Sequence, residues 1–358
     1  MKSKEKSCNQ ALLMTKNKRI LVVEVNWLGD VLFSTAALRW LRRQYPESYI
    51  ACLLHSRCKE VLTGNPYINE LIIIDEEKAH RGIRGKGELI KTIRARRFDT
   101  VYFFHRSFTR VLICYLAGIP HRIGYARLKS KFLLTQALTP PEGRIHRAAY
   151  FMYVATGKLI TDKEQLRGDF FVDEKDSISV RGLLEKENVT ENDSVVVMHS
   201  AGNWLPKRWP QHLLAALADL LIERYGCRVV LSGSEKEQQL ITEIVAMMKQ
   251  KPINFCGKTS LKQLGALFKR ADLCISADSG PLHIAVALGR PTVALFGPTD
   301  QEITGPLAGK GVSVLQKDVG CEIPCYNLEC KDNRCMAAIS VADVIECIEK
   351  NKWLKEKK

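Results

Sequence analysis

Residues 276–300 read SADSGPLHIAVALGRPTVALFGPTD, and this stretch restricts the fold more than any other. An apolar strand end (Leu273 to Ser276) runs into a small-residue turn, Asp278-Ser279-Gly280. A helix follows from Pro281 to Leu288, then a second apolar strand from Thr292 to Phe296. That order is a parallel crossover, with its turn at the C-terminal end of a strand, the edge where open α/β sheets bind ligands. Ser279 or Asp278 can cap the helix, and Pro281 suits its first turn. The open N–H groups of that turn suit a phosphate or diphosphate, and Gly280 lets a ligand approach the backbone. An ordinary capped βαβ turn reads the same way from this segment alone.

The rest of the chain repeats the alternation. RILVVEV is a strand, followed by the loop NWLGD and a helix from about Val31 to Gln44. Further strands are expected at Tyr49 to Leu54, at Glu70 to Ile74 and in DTVYFFH, with a basic helical stretch over 80–97 and a helix from Thr109 to Ala117. In the second half, SVVVMHS, CRVVLSG and INFCG are strands between helices at Gln211 to Tyr225, Glu235 to Lys249 and Ser260 to Arg270. The polar residues 173–193 mark the crossover between halves. Strands alternating with helices mean doubly wound parallel sheets, and 358 residues are long for one core. The expectation is an α/β protein with two Rossmann-like domains facing a cleft. Residues 1–18 are expected to form a disordered basic lead-in, 19–175 the N-terminal domain, 176–348 the C-terminal domain, and 349–358 a basic tail. Neither GxGxxG nor GxxxxGK[ST] occurs, which argues against a standard dinucleotide oxidoreductase and a P-loop nucleotidase.

The formal net charge of +15 attracts an anionic partner: nucleic acid, anionic lipid or a phosphorylated substrate. No RNP-like aromatic run or zinc-finger spacing accompanies it, so nucleic acid is not expected. The longest apolar runs, such as Val111 to Ile119, are under half the ~20 residues of a spanning helix. The N-terminus lacks a long apolar core and a cleavage site, so a cytoplasmic location with at most peripheral membrane contact is expected. Of twelve cysteines, Cys321, Cys325, Cys330 and Cys335 cluster in CEIPCYNLECKDNRC. Their spacing lacks the tight C-x2-C pairs of a structural zinc site, and no metal is assigned.

Two loops occupy matching places after the first strand of each half. In the first, Asp30 follows Gly29 and opens a helix. It reads as a simple cap or as a general base within reach of an attacking hydroxyl. In the second, Lys207 and Arg208 lie between Pro206 and Trp209-Pro210. They read as a surface basic pair or as cations that stabilise charge on a leaving diphosphate.

Several segments occur together in the order of one family: ILVVEVNWLGDVLFSTAALRWLRRQYP, AGIPHRIGY, PKRWP, ADSGPLHIAVALGRPTVALFGPTD and the cysteine segment ending RCMAAISVADVIECI. Over residues 19 to about 348 the chain resembles glycosyltransferase family 9, the ADP-heptose:lipopolysaccharide heptosyltransferases, and within it the heptosyltransferase II branch. The resemblance implies a GT-B fold, with 19–175 the acceptor-binding domain and 176–348 the nucleotide-sugar-binding domain, and an inverting transfer that needs neither metal nor cofactor. Asp30 would be the general base. Lys207 would contact the donor phosphates, assisted by Arg208. Asp278, Ser279, Gly280 and His283 match the D-(S/T)-G-x-x-H donor motif. Ser234 and Glu237, beside Gly233, stand where the family contacts adenosine or ribose.

The implied partners are an ADP-heptose donor and the inner core of lipopolysaccharide, Kdo-lipid A, in an anionic leaflet. Arg106, Ser107 and Arg110 after one strand, and His121 and Arg122 in another segment, are candidates to meet acceptor anions. Arg39, Arg42 and Arg43 on the first helix are candidates to meet the membrane. The loop before PKRWP, with Trp204, departs from the pattern, so donor identity rests on membership. Alternatives are another nucleotide-sugar transferase, an epimerase-like enzyme, or a non-catalytic anion-binding protein of the same fold.

Overall fold

The strand segments RILVV, YIACLLH and TVYF carry apolar residues at consecutive positions, which suits strands covered on both faces. The computed structural model describes residues 17–199, 204–307, 311–327 and 329–357, and the expected N-terminal lead-in lies almost wholly outside them. The chain divides into two compact units between Leu166 and Arg167. Each is built on a six-stranded sheet, and every strand pairing is parallel.

The first sheet has the order β3-β2-β1-β4-β5-β6. Its strands are β1 (Arg19–Val23), β2 (Tyr49–His55), β3 (Glu70–Ile74), β4 (Thr100–Phe103), β5 (His121–Tyr125) and β6 (Gln136–Leu138). The strand order reverses between β1 and β4, the switch point at which such sheets open a crevice at their C-terminal edge. Helices α1 (Leu28–Gln44), α2 (Gly82–Ala95), α3 (Phe108–Leu116) and α4 (Arg147–Thr156) cover this sheet. Helix α1 buries Val31, Leu32, Ala36, Leu38 and Leu41, the face its apolar spacing predicts. Helix α4 carries no periodic signal in the sequence, because its run RAAYFMYVAT has no polar stripe and is buried on most sides.

The second sheet has the order β12-β11-β10-β7-β8-β9, the same topology read from the other end. Its strands are β7 (Val195–His199), β8 (Arg228–Ser232), β9 (Ile253–Asn254), β10 (Leu273–Ala277), β11 (Thr292–Phe296) and β12 (Val312–Gln316). Its helices are α5 (Glu174–Lys186), α6 (Gln211–Tyr225), α7 (Gln238–Met247), α8 (Leu261–Arg270), α9 (Gly280–Ala287) and α10 (Val341–Lys350). The switch point lies between β7 and β10. The polar segment 173–193 contains a full helix, α5, which packs on α8.

Residues 167–175 belong to the second unit, upstream of the 175/176 boundary suggested by the sequence. Phe170 packs so tightly on Gly265 of α8 that a Cβ there would come within 2.5 Å of its ring. The basic tail is also part of this unit. Trp353 and Leu354 pack on its core, and the Lys357 amide donates to the Arg224 carbonyl at 3.0 Å.

Candidate active site

In the first unit, Asp30 occupies the first turn of α1, directly after the strand that flanks the switch point. Its side chain is 15% exposed, and its Oδ1 lies 3.4 Å from Nε of Arg147 on α4. His146, the residue before Arg147, caps α4 by accepting the Ala148 amide proton at 3.1 Å, and its ring meets Phe33 of α1 edge-on at 5.0 Å. Helices α1 and α4 are thus locked together beside the carboxylate.

The loop leading to Asp30 is held from below. Arg110, fully buried, donates from Nη1 to the Glu24 carbonyl at 2.9 Å. Its Nη2 reaches Asn26 Oδ1 at 2.8 Å and Glu76 Oε2 at 3.0 Å. The Cys58 thiol donates to the Asn26 carbonyl at 3.3 Å. Burial works against ionisation of Glu76, but the Arg110 bond and charge outweigh it and hold the carboxyl below its ordinary range. Arg110 is therefore a positioning residue, and the expectation that it meets acceptor anions is corrected: its guanidinium has no exposure and faces the loop backbone.

Arg122 is corrected for a different reason. It is the second residue of β5, at the N-terminal edge of the sheet, away from the end that carries Asp30. Its guanidinium donates to the carbonyls of Leu133, Ile119 and Pro120. His121 begins the same strand and shares that edge. Among the α1 cations, Arg42 is spent on the carbonyls of Tyr67, Pro46 and Ser48 and on Asn69 Oδ1, while Arg39 donates to the Gln165 carbonyl. Arg43 is exposed.

Arg106 and Ser107 do lie at the switch-point edge, in the loop between β4 and α3, and Arg106 is exposed. The structure adds three residues to them that the sequence reading missed. The buried Tyr150 hydroxyl has no hydrogen-bond partner among the described residues, and the charges of Arg106, Arg147 and Arg127 act on it. Arg127 Nη1 also donates to the Arg106 carbonyl at 3.3 Å. Three guanidinium groups whose charges reach one phenol, one of them in contact with Asp30, give this edge a positive character suited to an anion. The signal was present in HRAAY, where Arg147 and Tyr150 are three apart on one helical face. His105 is pushed down to about 4 by burial first and by Arg110 and Arg127 next, so it is neutral at pH 7, and its Nδ1 accepts the Ser107 amide proton at 3.0 Å.

In the second unit, three motif residues converge at the switch-point edge of the sheet. Lys207 Nζ lies 2.6 Å from Asp278 Oδ2, and His283 Nε2 lies 3.4 Å from Asp278 Oδ1. Asp278 and His283 are each 5% exposed and Lys207 21%. Burial alone would raise the Asp278 pKa. The His283 hydrogen bond and the Lys207 ammonium overcome that and hold it at about 2. Lys207 ends a short 3-10 turn, Leu205–Lys207, and its ammonium sits 5.0 Å above the Trp204 ring. The neighbouring Trp209 anchors the segment by donating its indole N–H to the Ile339 carbonyl at 2.9 Å, and Asn333 bonds the Arg208 carbonyl. Part of the preceding loop, residues 200–203, lies outside the described residues.

Ser279 is the N-cap position of α9 but makes no side-chain cap bond, so the amide groups at Gly280 and beyond stay open at this edge. Ser234 and Glu237 follow β8, the strand beside β7. They form a capping box in which Glu237 Oε2 accepts from the Ser234 amide at 2.7 Å and from its hydroxyl at 2.8 Å. The late cysteines are free thiols, with Cys335 buried against Gly297 and Cys321 exposed. Among the described residues, no group of three or more His, Cys, Asp or Glu side chains is gathered to hold a metal ion. No helix among them is long and apolar enough to cross a membrane.

Known proteins carry the same plan. Lipopolysaccharide heptosyltransferase 2 of Escherichia coli (strain K12) is 29% identical over 303 residues, covering 82% of this chain and 86% of that protein. Among solved structures, the glycosyl transferase family 9 protein from Veillonella parvula DSM 2008 superposes with a TM-score of 0.85 at 26% identity, covering 94% of this chain and 98% of that one. The E. coli ADP-heptose lps heptosyltransferase II superposes with a TM-score of 0.77, also at 26% identity, covering 93% and 98%. The model of glycosyltransferase family 9 (heptosyltransferase) matches residues 87–334, a stretch that holds Lys207 and the Asp278–His283 motif and begins after Asp30. With more than half of its length matched, the chain belongs to glycosyltransferase family 9 (heptosyltransferase).

Proposed function

We propose that the chain transfers heptose from ADP-heptose to the inner core of lipopolysaccharide, with inversion at the anomeric carbon. The observation that carries this reading is the cluster of Lys207, Asp278 and His283 at the switch point of the second sheet, beside the uncapped start of α9. Such an edge suits a nucleotide diphosphate: helix N–H groups face the phosphates, and a fixed ammonium takes up charge as ADP leaves. In this reading Lys207 exchanges part of its contact with Asp278 for a phosphate oxygen, with Arg208 as a second cation. Asp278 and His283 then meet the sugar and the phosphate. Ser234 and Glu237, one strand further along, face the nucleoside.

Asp30 is the base. It takes the proton of an acceptor hydroxyl as the oxygen bonds to the anomeric carbon, and the bond from that carbon to the phosphate oxygen breaks. One displacement inverts the centre, and ADP leaves with the electron pair. Lys207 and the helix N-terminus supply the positive charge this step needs. Arg106, Ser107, Arg127 and Arg147 hold the phosphates and carboxylates of the acceptor. That acceptor is lipid-anchored, so the protein works at the surface of an anionic membrane on its cytoplasmic side.

Incubation with ADP-heptose and Kdo-lipid A, bare or already carrying one heptose, tests the reading. The expected result is ADP release coupled to a new heptoside of inverted anomeric configuration on one acceptor, read by mass and NMR. A product of retained configuration, or ADP release without any heptoside, contradicts it.

A further inference from the structure

Two short segments of the first unit stand out on its surface. Residues 81–87 read RGIRGKG and residues 126–132 read ARLKSKF, and neither contains a carboxylate. Ile83, Leu128 and Phe132 are 93%, 91% and 80% exposed. Arg81, Arg84, Lys86, Lys129 and Lys131 beside them are exposed too. Single exposed apolar residues are ordinary, but three presented this fully, each flanked by cations, ask for a partner.

Their presentation is fixed by the fold. Gly85, Leu89 and Ile93 form the buried stripe of α2, and a Cβ on Gly85 would sit 2.6 Å from the Ala79 carbonyl oxygen. Ile83 precedes Gly85 by two positions, about 200° around the helix, so it points away from the sheet. In the other segment, Ser130 is buried, and the amides of Ser130 and Lys131 both donate to the Arg127 carbonyl at 2.9 Å, which pins the turn that carries Leu128 and Phe132. The segments follow β3 and β5, so Ile83 and Leu128 lie at the C-terminal edge of the sheet, the edge of Asp30, while Phe132 lies further along the return toward β6. Leu133 and Leu134 pack on the same core cluster as Leu89 and Ile93 of α2, which puts both segments on one face of the sheet. Four strand spacings separate those strands, about 19 Å. Trp27, 59% exposed with the Arg57 guanidinium 5.1 Å from its ring, follows β1 between them.

We infer that this side of the first unit, the layer of α2 and of the segment after β5, is a membrane-docking face, in which Ile83, Leu128 and Phe132 dip into the acyl boundary of an anionic bilayer while the neighbouring Lys and Arg side chains bind lipid phosphates. A protein partner would want one contiguous apolar centre depleted of charge. Separate apolar tips, each flanked by cations and spread over one face, match the layered chemistry of a headgroup interface. The inference rests on the reading above that the acceptor is lipid-anchored, and it adds how the protein meets that lipid. It also replaces Arg39 and Arg42 of α1, whose guanidinium groups are engaged inside the unit.

Co-sedimentation of the full-length protein with vesicles tests it. Binding is expected to vesicles of phosphatidylethanolamine with phosphatidylglycerol and not to phosphatidylcholine, and to fall with added salt. Arg84→Gln, Lys86→Gln, Lys129→Gln and Lys131→Gln should each weaken it about fivefold. The triple variant Ile83→Ser/Leu128→Ser/Phe132→Ser should lose binding while it transfers to a deacylated acceptor at the wild-type rate. That control separates this inference from the transferase reading, because failure of transfer by the wild type would strike only the latter. Equal sedimentation with both lipids, or unchanged binding by the triple variant, overturns the inference. So does a triple variant that turns a dimer into a monomer while still binding vesicles, which would assign the face to a second copy.

Discussion

Arg147 Nε lies 3.4 Å from Oδ1 of Asp30, joining the first turn of α4 to the first turn of α1 across 117 positions of sequence. The contact fixes where the carboxylate points and brings a cation to the edge where the acceptor is proposed to sit. Replacing Arg147 by Met should lower kcat/KM about fivefold, the scale of a half-exposed ion pair, with Lys restoring part of the loss. Steady-state kinetics with varied acceptor checks this. An unchanged acceptor KM and kcat would remove Arg147 from the site.

Arg110 and Arg106 separate support from contact. Arg110→Met leaves the Glu24 carbonyl, Asn26 and Glu76 without their shared donor, and should cost about 3 kcal/mol of stability. Arg106→Gln, at an exposed position, should stay within about 0.5 kcal/mol of wild type and raise acceptor KM. Denaturant melts paired with kinetics distinguish the two. Equal stability losses would contradict the assignment.

Glu24 predicts a pH dependence of stability. Ser34 Oγ lies 2.8 Å from the Val31 carbonyl, which can only accept, and 2.9 Å from Glu24 Oε2. That hydroxyl has one proton for two acceptors, so with Glu24 ionised one contact goes unfilled, whereas a protonated Glu24 can donate to Ser34 and fill both. Burial, the largest influence, pushes this carboxyl up to about 8, against the bond from Ser34. Between about 4.5 and about 8 the folded chain keeps a proton that the unfolded chain has lost. Stability therefore falls as pH rises through that window and levels off above it, by an amount on the order of a few kcal/mol. Glu24→Gln keeps a donor toward Ser34 and should abolish this component. Thermal melts at pH 5.5 and 8.5 are the check, and identical pH dependence in both proteins would refute the protonated state.

Lys207 pairs with a carboxylate that is 5% exposed, so Lys207→Met should act twice. It leaves Asp278 buried without its ammonium, at a cost of about 3 kcal/mol, and it should weaken ADP binding at least about tenfold. Calorimetric titration with ADP reads the second effect. Full ADP affinity in a folded variant would mean that the diphosphate lies elsewhere.

Much of this was legible in the sequence because parallel strands announce themselves. RILVV and TVALF are apolar at consecutive positions, and SADSGP marks the turn between strand and helix. That Lys207, Asp278 and His283 belong to one site was what the resemblance to the family implied, and the structure brings the three side chains together. The first unit was harder to read. Helix α4 is apolar nearly all round, so its period was hidden, and with it Arg147 and Tyr150. Arg110 and Arg122 misled because charge and proximity to a strand say nothing about which end of the strand a residue occupies, or whether the guanidinium is spent on backbone carbonyls. Those facts arise from tertiary packing of segments distant in sequence.

The most direct measurement is single-turnover transfer from ADP-heptose to the Kdo-lipid A acceptor by wild type and Asp30→Asn, with donor affinity measured on both. The account predicts that Asp30→Asn binds ADP-heptose as wild type does and loses about 100- to 10,000-fold in the transfer rate. Transfer within a few fold of wild type would contradict Asp30 as the base, and with it the proposed mechanism.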